Sequence, residues 1–494
     1  FKVLVEIFKD YDLNWNNLCS ILMDSCAVMR GSKTGLEKRI RTQKCHHLLD
    51  IDGDVCHHCH NGTKRFCAPF ENHLENLFYY LYNHFKWSTD LRKYLSDICD
   101  ILYIKFTMPD RFLKHRWLSV YDVTMSTNRL YEAYFVFFFS CIPDKDKRDY
   151  KDLLNKIYVA KHVDEDGKSK IKVIQSEIKK KKLTKSGAKR RDSIVNLLII
   201  QEQKTKLVLG FYSAALPIFK RYVCLFQSKN PLVHKLNDEQ LRAFKAILNC
   251  FLKSESTNKL SPRALKDFEM EKCFLPLNEI HYGASTRKWM HEIEQRNPAL
   301  IREFKLKARK AYLDSSKYMQ DKFPLNNPLL KSLSGIDPIV QHHEVSGRCL
   351  KRLPSLVTNV LSADEVEQYE EEILNYMSDS TLPNYAEPKR ADDESDDESD
   401  NELDDQSKSP PKKTAPSDAP KVITRIDEWW HEVRETGRYN NLSKLVLATL
   451  SIFHGPLVES SFSSMGNIMD SKRYSLSIET FNSYLTVQYY FACS

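Results

Sequence analysis

Glycine is scarce in this chain, 13 in 494 residues. So few points of backbone freedom speak against a turn-rich, all-β design, and with abundant Leu, Lys and Glu they argue for a largely helical protein. Long apolar runs are absent too. The most apolar stretch, Tyr134-Phe135-Val136-Phe137-Phe138-Phe139, is far too short to span a bilayer and reads as core, so no membrane partner is expected. The 13 cysteines form no even framework and no signal peptide precedes them, a pattern that fits reduced thiols in the cytosol or nucleus. An initiating methionine is lacking as well. The chain opens on Phe1 and reads as a fragment, or as a gene product whose start has been lost.

What is present calls for more than one domain. A chain of 494 residues exceeds what a single hydrophobic core usually serves, and a hydrophobic content of 42% is ample for globular folding. The formal charge is +8, but Ala391–Asp405 is almost all Asp, Glu and Ser and masks a more basic remainder. A basic body is compatible with nucleic acid. Ser407–Pro420 is rich in Pro, Ser and Lys, so residues 389–424 read as a disordered, self-repelling linker. Ser395 and Ser399, set among acids, would add further negative charge if phosphorylated.

In chain order, Lys2–Lys9 reads as an amphipathic helix and Leu18–Met23 as a short buried strand ending at Asp24, where open α/β sheets present side chains to a cleft. A basic helix, Leu36–Leu48, precedes a second strand at Leu48–Val55. Its Asp50, Asp52 and Asp54 lack the glycine and closing glutamate of a calcium-binding EF-hand loop. A helix then opens at Val55, followed by helices over Glu71–His84 and Thr89–Ile104 and a run from Arg116 to Cys141. Alternating strands and helices over the first hundred residues predict an α/β fold, and residues 120–380 predict helices almost exclusively.

The most informative stretch is Leu442–Leu485. Leu442, Leu445, Val446 and Leu450 make one apolar helical stripe, Gly455-Pro456 breaks it, and Phe481, Tyr484, Leu485 and Gln488 share one face of a last helix. Apolar helices this near the end need the body of the protein or a second copy to bury them. The order Leu442-Ser443-Lys444-Leu445, Glu459-Ser460-Ser461-Phe462-Ser463, Gly466-Asn467-Ile468, Lys472-Arg473, Leu476-Ser477 resembles the C-terminal dimerisation region of the hAT superfamily of DNA transposases.

That resemblance implies a partial ribonuclease-H-like core over residues 1–119, a large all-helical insertion over 120–388, the linker, and a dimerisation region over 425–494 whose helices complete the core. It assigns Asp24 and Glu459 as catalytic carboxylates and ligands of Mg2+ or Mn2+, since two-metal phosphoryl transfer needs hard cations held by oxygen. The family's first aspartate has no counterpart upstream of Asp24, where Asp10 and Asp12 lie too close and on a helix end. Arg116-Trp117 resembles the family's Arg-Trp pair, suited to an unpaired base and its phosphate, or else to anchoring a core. Trp430, Leu442, Leu445, Phe462, Phe481 and Leu485 are the implied dimerisation residues, with the adjacent Trp429 and Trp430 anchoring the returning helices.

Two further clusters are legible in the sequence. Cys56, Cys59 and His60 have zinc-ligand spacing but no recognised second pair nearby, while Cys56-His57-His58-Cys59-His60-Asn61 resembles a hAT motif that helps shape the core, and that resemblance implies packing rather than zinc. Lys179, Lys180, Lys181 and Lys182, with Arg190 and Arg191 shortly after, suit nuclear import or sequence-independent phosphate contact. Three functions follow as expectations: a nuclear, DNA-binding homodimer without complete catalytic machinery, the trailing part of an active cut-and-paste transposase, or a zinc-stabilised scaffold.

Overall fold

The computed structural model describes residues 1–23, 26–51, 53–113, 118–143, 146–228, 230–387, 422–455 and 480. Among these the chain is helical throughout and contains no strand or sheet, only three isolated bridges. The expected α/β, ribonuclease-H-like core is therefore corrected to an all-helical arrangement. The two segments read as strands do meet, through a parallel bridge between Ser20 and Leu49 and one hydrogen bond from Leu49 N–H to the Cys19 carbonyl at 2.8 Å. One rung is not a sheet. The surrounding polar groups have other engagements: Asp50 binds Arg30 at 2.7 Å, and its carbonyl accepts from Asn327 Nδ2 at 3.0 Å.

The chain divides into two compact units. One comprises Phe1–Cys56, Val223–Leu241 and Phe323–Ser494, the other His57–Tyr222 and Arg242–Lys322. The first unit has a small amino-terminal cluster, Ile40, Cys45 and Leu48, with Phe1, Leu4, Trp15, Leu18, Ile21 and Leu36 packed against it. Its larger core lies among the helices Pro328–Leu333, Glu344–Leu356, Ala363–Ser378, Ile426–Glu435 and Asn440–Leu450. Trp429 and Trp430 are its largest side chains. Trp430 stacks on Tyr376 with ring centroids 5.2 Å apart, and its indole N–H donates to the Ile336 carbonyl at 2.9 Å. The Trp429 indole donates to the Pro383 carbonyl at 2.8 Å. Burying two indoles side by side is favourable only because both N–H groups find acceptors.

Helix Asn440–Leu450 lacks a side-chain cap of its own, because Tyr439 stands at the capping position. Glu372, on helix Ala363–Ser378, replaces it: its carboxylate accepts from Asn441 N at 3.2 Å and Leu442 N at 2.7 Å. A carboxylate at the positive end of a helix satisfies orphan donors and complements the macrodipole. Glu372→Ala is expected to destabilise this unit by about 1–2 kcal/mol, with Glu372→Gln recovering part of the loss; urea denaturation midpoints check it.

The expected linker has an unexpected base. Tyr385 and Ile423 form a parallel bridge, with Ile423 N donating to the Asn384 carbonyl at 2.9 Å and Ala386 N to the Ile423 carbonyl at 3.1 Å. The borders of residues 388–421, which themselves lie outside the described ones, thus sit side by side.

In the second unit, helices His73–Phe85, Thr89–Ile101, Ser119–Phe139, Glu165–Lys180 and Lys185–Val195 pack together, as do Ala284–Glu294 and Pro298–Lys322. The apolar run Tyr134–Phe139 is buried as expected, with Phe137 and Phe138 against Phe85 and His84. A widened π-helical turn, Asn196–Ile200, frees carbonyls that find other donors: Leu198 O accepts from Tyr131 Oη at 3.2 Å and Leu197 O from Thr205 Oγ1 at 2.5 Å. One of the few glycines has a visible purpose. A Cβ at Gly210 would lie 2.6 Å from Thr286 Oγ1 and 2.8 Å from the Trp289 ring, so only glycine lets helix Ala284–Glu294 approach that closely.

Helix Glu202–Phe226 is the one element among the described residues long and apolar enough to cross a membrane, and 61% of its apolar window is buried inside the protein, the pattern of a core helix.

Candidate nucleic-acid interface

The basic cluster belongs to two helices and the turn between them. Helix Glu165–Lys180 is capped by Asp164, whose Oδ1 accepts from Gly167 N at 2.7 Å. Its first turn carries Glu165 and Asp166 and its last Lys179 and Lys180, the charge order that the helix dipole favours. Thr184 caps the next helix, Lys185–Val195, its Oγ1 accepting from Gly187 N at 3.1 Å. Here the charge order is reversed. Lys185 sits at the positive end with no acid in the first turn, a placement that local helix stability does not favour.

The turn is held against a neighbouring helix reversal. Helix Thr89–Ile101 runs antiparallel to Glu165–Lys180: a Cβ on Gly167 would lie 3.2 Å from Ile101, while at the other end Lys181 forms an ion pair with Asp90. Helix Lys185–Val195 packs along His73–Phe85. Several of the cluster's charges are engaged locally, Lys180 with Glu177 at 2.8 Å and Arg191 with Asp192 at 3.1 Å. Lys182, Lys185 and Lys189 are exposed and make no ion pair among the described residues. Arg190 is half-buried, close enough for its charge, with that of Arg191, to act on His84. Burial first, and those two guanidinium groups second, bring the His84 pKa down to about 4.

Sequence reasoning passed over the reversal between helices His73–Phe85 and Thr89–Ile101. Trp87 stands there 83% exposed, with the Lys86 ammonium 4.4 Å from its ring centroid and 5.5 Å from that of Tyr82. Ser88 caps the following helix through Leu91 N at 3.4 Å. The signal was the dipeptide Lys86-Trp87 directly before a capping serine, which reads equally well as a core anchor.

The remaining predicted residues divide sharply. Asp24, Arg116, Trp117, Glu459, Phe462, Phe481 and Leu485 lie outside the described residues, so no metal geometry can be built on the carboxylate pair. Cys56, Cys59 and His60 are all buried. Cys59 Sγ points toward the Phe219 carbonyl at 3.8 Å, and burial pushes its thiol pKa far up. His60 instead lines a cavity of about 320 Å3 with Cys67, Glu75, Phe112 and Leu118. Among the described residues no group of three or more His, Cys, Asp or Glu side chains is placed to hold a metal. Trp430, Leu442 and Leu445 are fully buried within their own unit, so their contacts are made inside the subunit.

Compared with protein-family models, with curated proteins and with solved structures, the chain matches none.

Proposed function

We propose that this chain is a relative of the hAT transposases that acts in the nucleus as a DNA-holding homodimer, without a complete catalytic set of its own. The observation that carries DNA binding is the trio Lys182, Lys185 and Lys189, exposed and without ion pairs among the described residues, with Lys185 at a helix start where the dipole does not favour a cation. The motif order from Leu442 to Leu485 supports the kinship and the homodimer. Because Trp430, Leu442 and Leu445 are committed to the subunit's own core, the proposal assigns self-association to Phe462, Phe481 and Leu485.

The test is titration of the full chain against a short DNA duplex across a salt series, with sedimentation in parallel. Reversing Lys182, Lys185 and Lys189 to glutamate is expected to weaken binding more than tenfold at low salt and to lower the log–log salt slope by roughly 3, close to one per lost phosphate contact. An unchanged slope would remove this surface from DNA contact. Phe481→Glu with Leu485→Glu is expected to give monomers without altering the melting temperature. Should Mg2+- or Mn2+-dependent strand cleavage be found and be abolished by Glu459→Gln, the chain is a working transposase component rather than a passive holder.

A further inference from the structure

We propose that the turn at Lys86–Asp90 and the adjoining basic turn at Lys181–Lys189 form one binding site for single-stranded DNA, with Trp87 as the platform on which an unpaired base stacks. The inference rests on the DNA-binding reading above and specifies the form of DNA taken up.

The starting point is an indole in water. An 83% exposed tryptophan forgoes most of the burial that makes this side chain favourable in a fold, and no packing among the described residues accounts for it. It is nonetheless held in place. Lys86 lies over the ring at 4.4 Å and also contacts the Tyr82 ring at 5.5 Å, so a single ammonium links the two aromatics and occupies one side of the indole. The other side is open to a flat π-system, with the ammonium beside it to meet the phosphate of the same nucleotide.

The second observation is independent. The ion pair between Lys181 and Asp90 fixes the basic turn within three residues of Trp87 in the neighbouring chain segment. It also neutralises the carboxylate that would otherwise repel a phosphate at this place. Lys182 and Lys185 follow directly, exposed and without ion pairs among the described residues. An aromatic platform beside a short track of cations is the arrangement by which single strands are held without sequence preference. Duplex DNA would meet the cations but could not use the ring, because its bases offer only their edges. A lipid surface fits less well. Leu183, the aliphatic residue of the basic turn, is half-buried, and Ser88 and Thr89 beside the indole are polar.

The experiment uses the full chain and two fluorescent probes, a 15-nucleotide oligothymidine and a blunt duplex of the same length. Trp87→Ala is expected to weaken oligothymidine binding by about tenfold, within the range measured for loss of one base–aromatic stack, and to leave duplex binding and the melting temperature unchanged. Trp87→Tyr should restore most of the affinity. Quenching of intrinsic tryptophan fluorescence by oligothymidine should fall in Trp87→Phe while binding persists. Equal losses for both probes, or no loss for either, would overturn the stacking role while leaving DNA binding in place. Failure of the unaltered protein to bind either probe would remove the DNA reading and this inference together. Binding of phosphatidylserine vesicles, or of a polyglutamate peptide, that depends on Trp87 as strongly would also overturn it.

Discussion

Trp430→Ala is expected to cost the first unit about 3–5 kcal/mol, the range for deleting a fully enclosed large aromatic, a large share of the roughly 5–15 kcal/mol by which folded domains are stable. Three contributions are lost together: the stack on Tyr376, the edge contact with Trp429 at 5.1 Å, and the indole hydrogen bond to Ile336, whose buried carbonyl is left without that donor. Trp430→Phe separates them. It keeps a ring over Tyr376 and removes the N–H, so a loss of about 1–2 kcal/mol is expected. Guanidinium denaturation followed by circular dichroism measures both variants. Trp87→Ala serves as the opposite control, with no shift of the midpoint expected at so exposed a site. A midpoint for Trp430→Ala within 1 kcal/mol of the parent would mean that this core is not organised around the indole pair.

Acidification is the second large effect. Burial is the leading cause that lowers the pKa of His73 to about 4, of His84 to about 4, of His234 to about 3 and of His454 to about 4. The unfolded chain takes up a proton on each near pH 6.5, whereas the folded chain resists until near pH 4. The unfolded state therefore binds more protons across that window, and stability falls as the pH falls through it. One such histidine costs about 2 kcal/mol between pH 7 and pH 5. Two lie in each unit, so both units are expected to lose stability well above the carboxylate range. His454 also loses a specific contact, because its Nε2 accepts the Leu232 N–H at 2.5 Å and cannot do so once protonated. Asp379 acts at lower pH. Burial opposes its charge, but Thr381, Tyr439 and Arg438 outweigh that and hold it at about 2, so its contribution is present above pH 4 and lost toward pH 2. Melting temperatures at pH 7.5, 6 and 5 check the histidine effect. His84→Phe, which sets a fourth ring among Phe85, Phe137 and Phe138, should flatten the acid limb of the second unit. A melting temperature constant from pH 7.5 to 5 would sink the prediction.

The helices were legible where a long apolar periodicity met a clear stop. Glu71–His84 was expected and His73–Phe85 is found; Thr89–Ile104 was expected and Thr89–Ile101 is found, with Ser88 as its cap. The strands were not. Leu18–Met23 and Leu48–Val55 are short apolar runs, and such runs pair as a sheet only when further strands lie alongside. Among the described residues none does, and Leu48 and Ile21 serve a helix-lined cluster instead. The basic cluster was visible as composition, but composition does not tell which lysines are neutralised by neighbours. That depends on Asp90, 91 residues upstream of Lys181. Trp87 was missed for a related reason. A tryptophan beside a helix end is most often a buried anchor, and only the packing of the surrounding helices decides whether anything covers it.

The closure of Tyr385 on Ile423 has a consequence for how this protein can change over generations. Tyr385 and Ile423 set the two borders of the intervening stretch side by side, so a change in its length need not move the helices on either side. The length and charge of that stretch can drift under selection for other properties, and the same paired borders would accept a grafted reporter domain whose own ends lie close together.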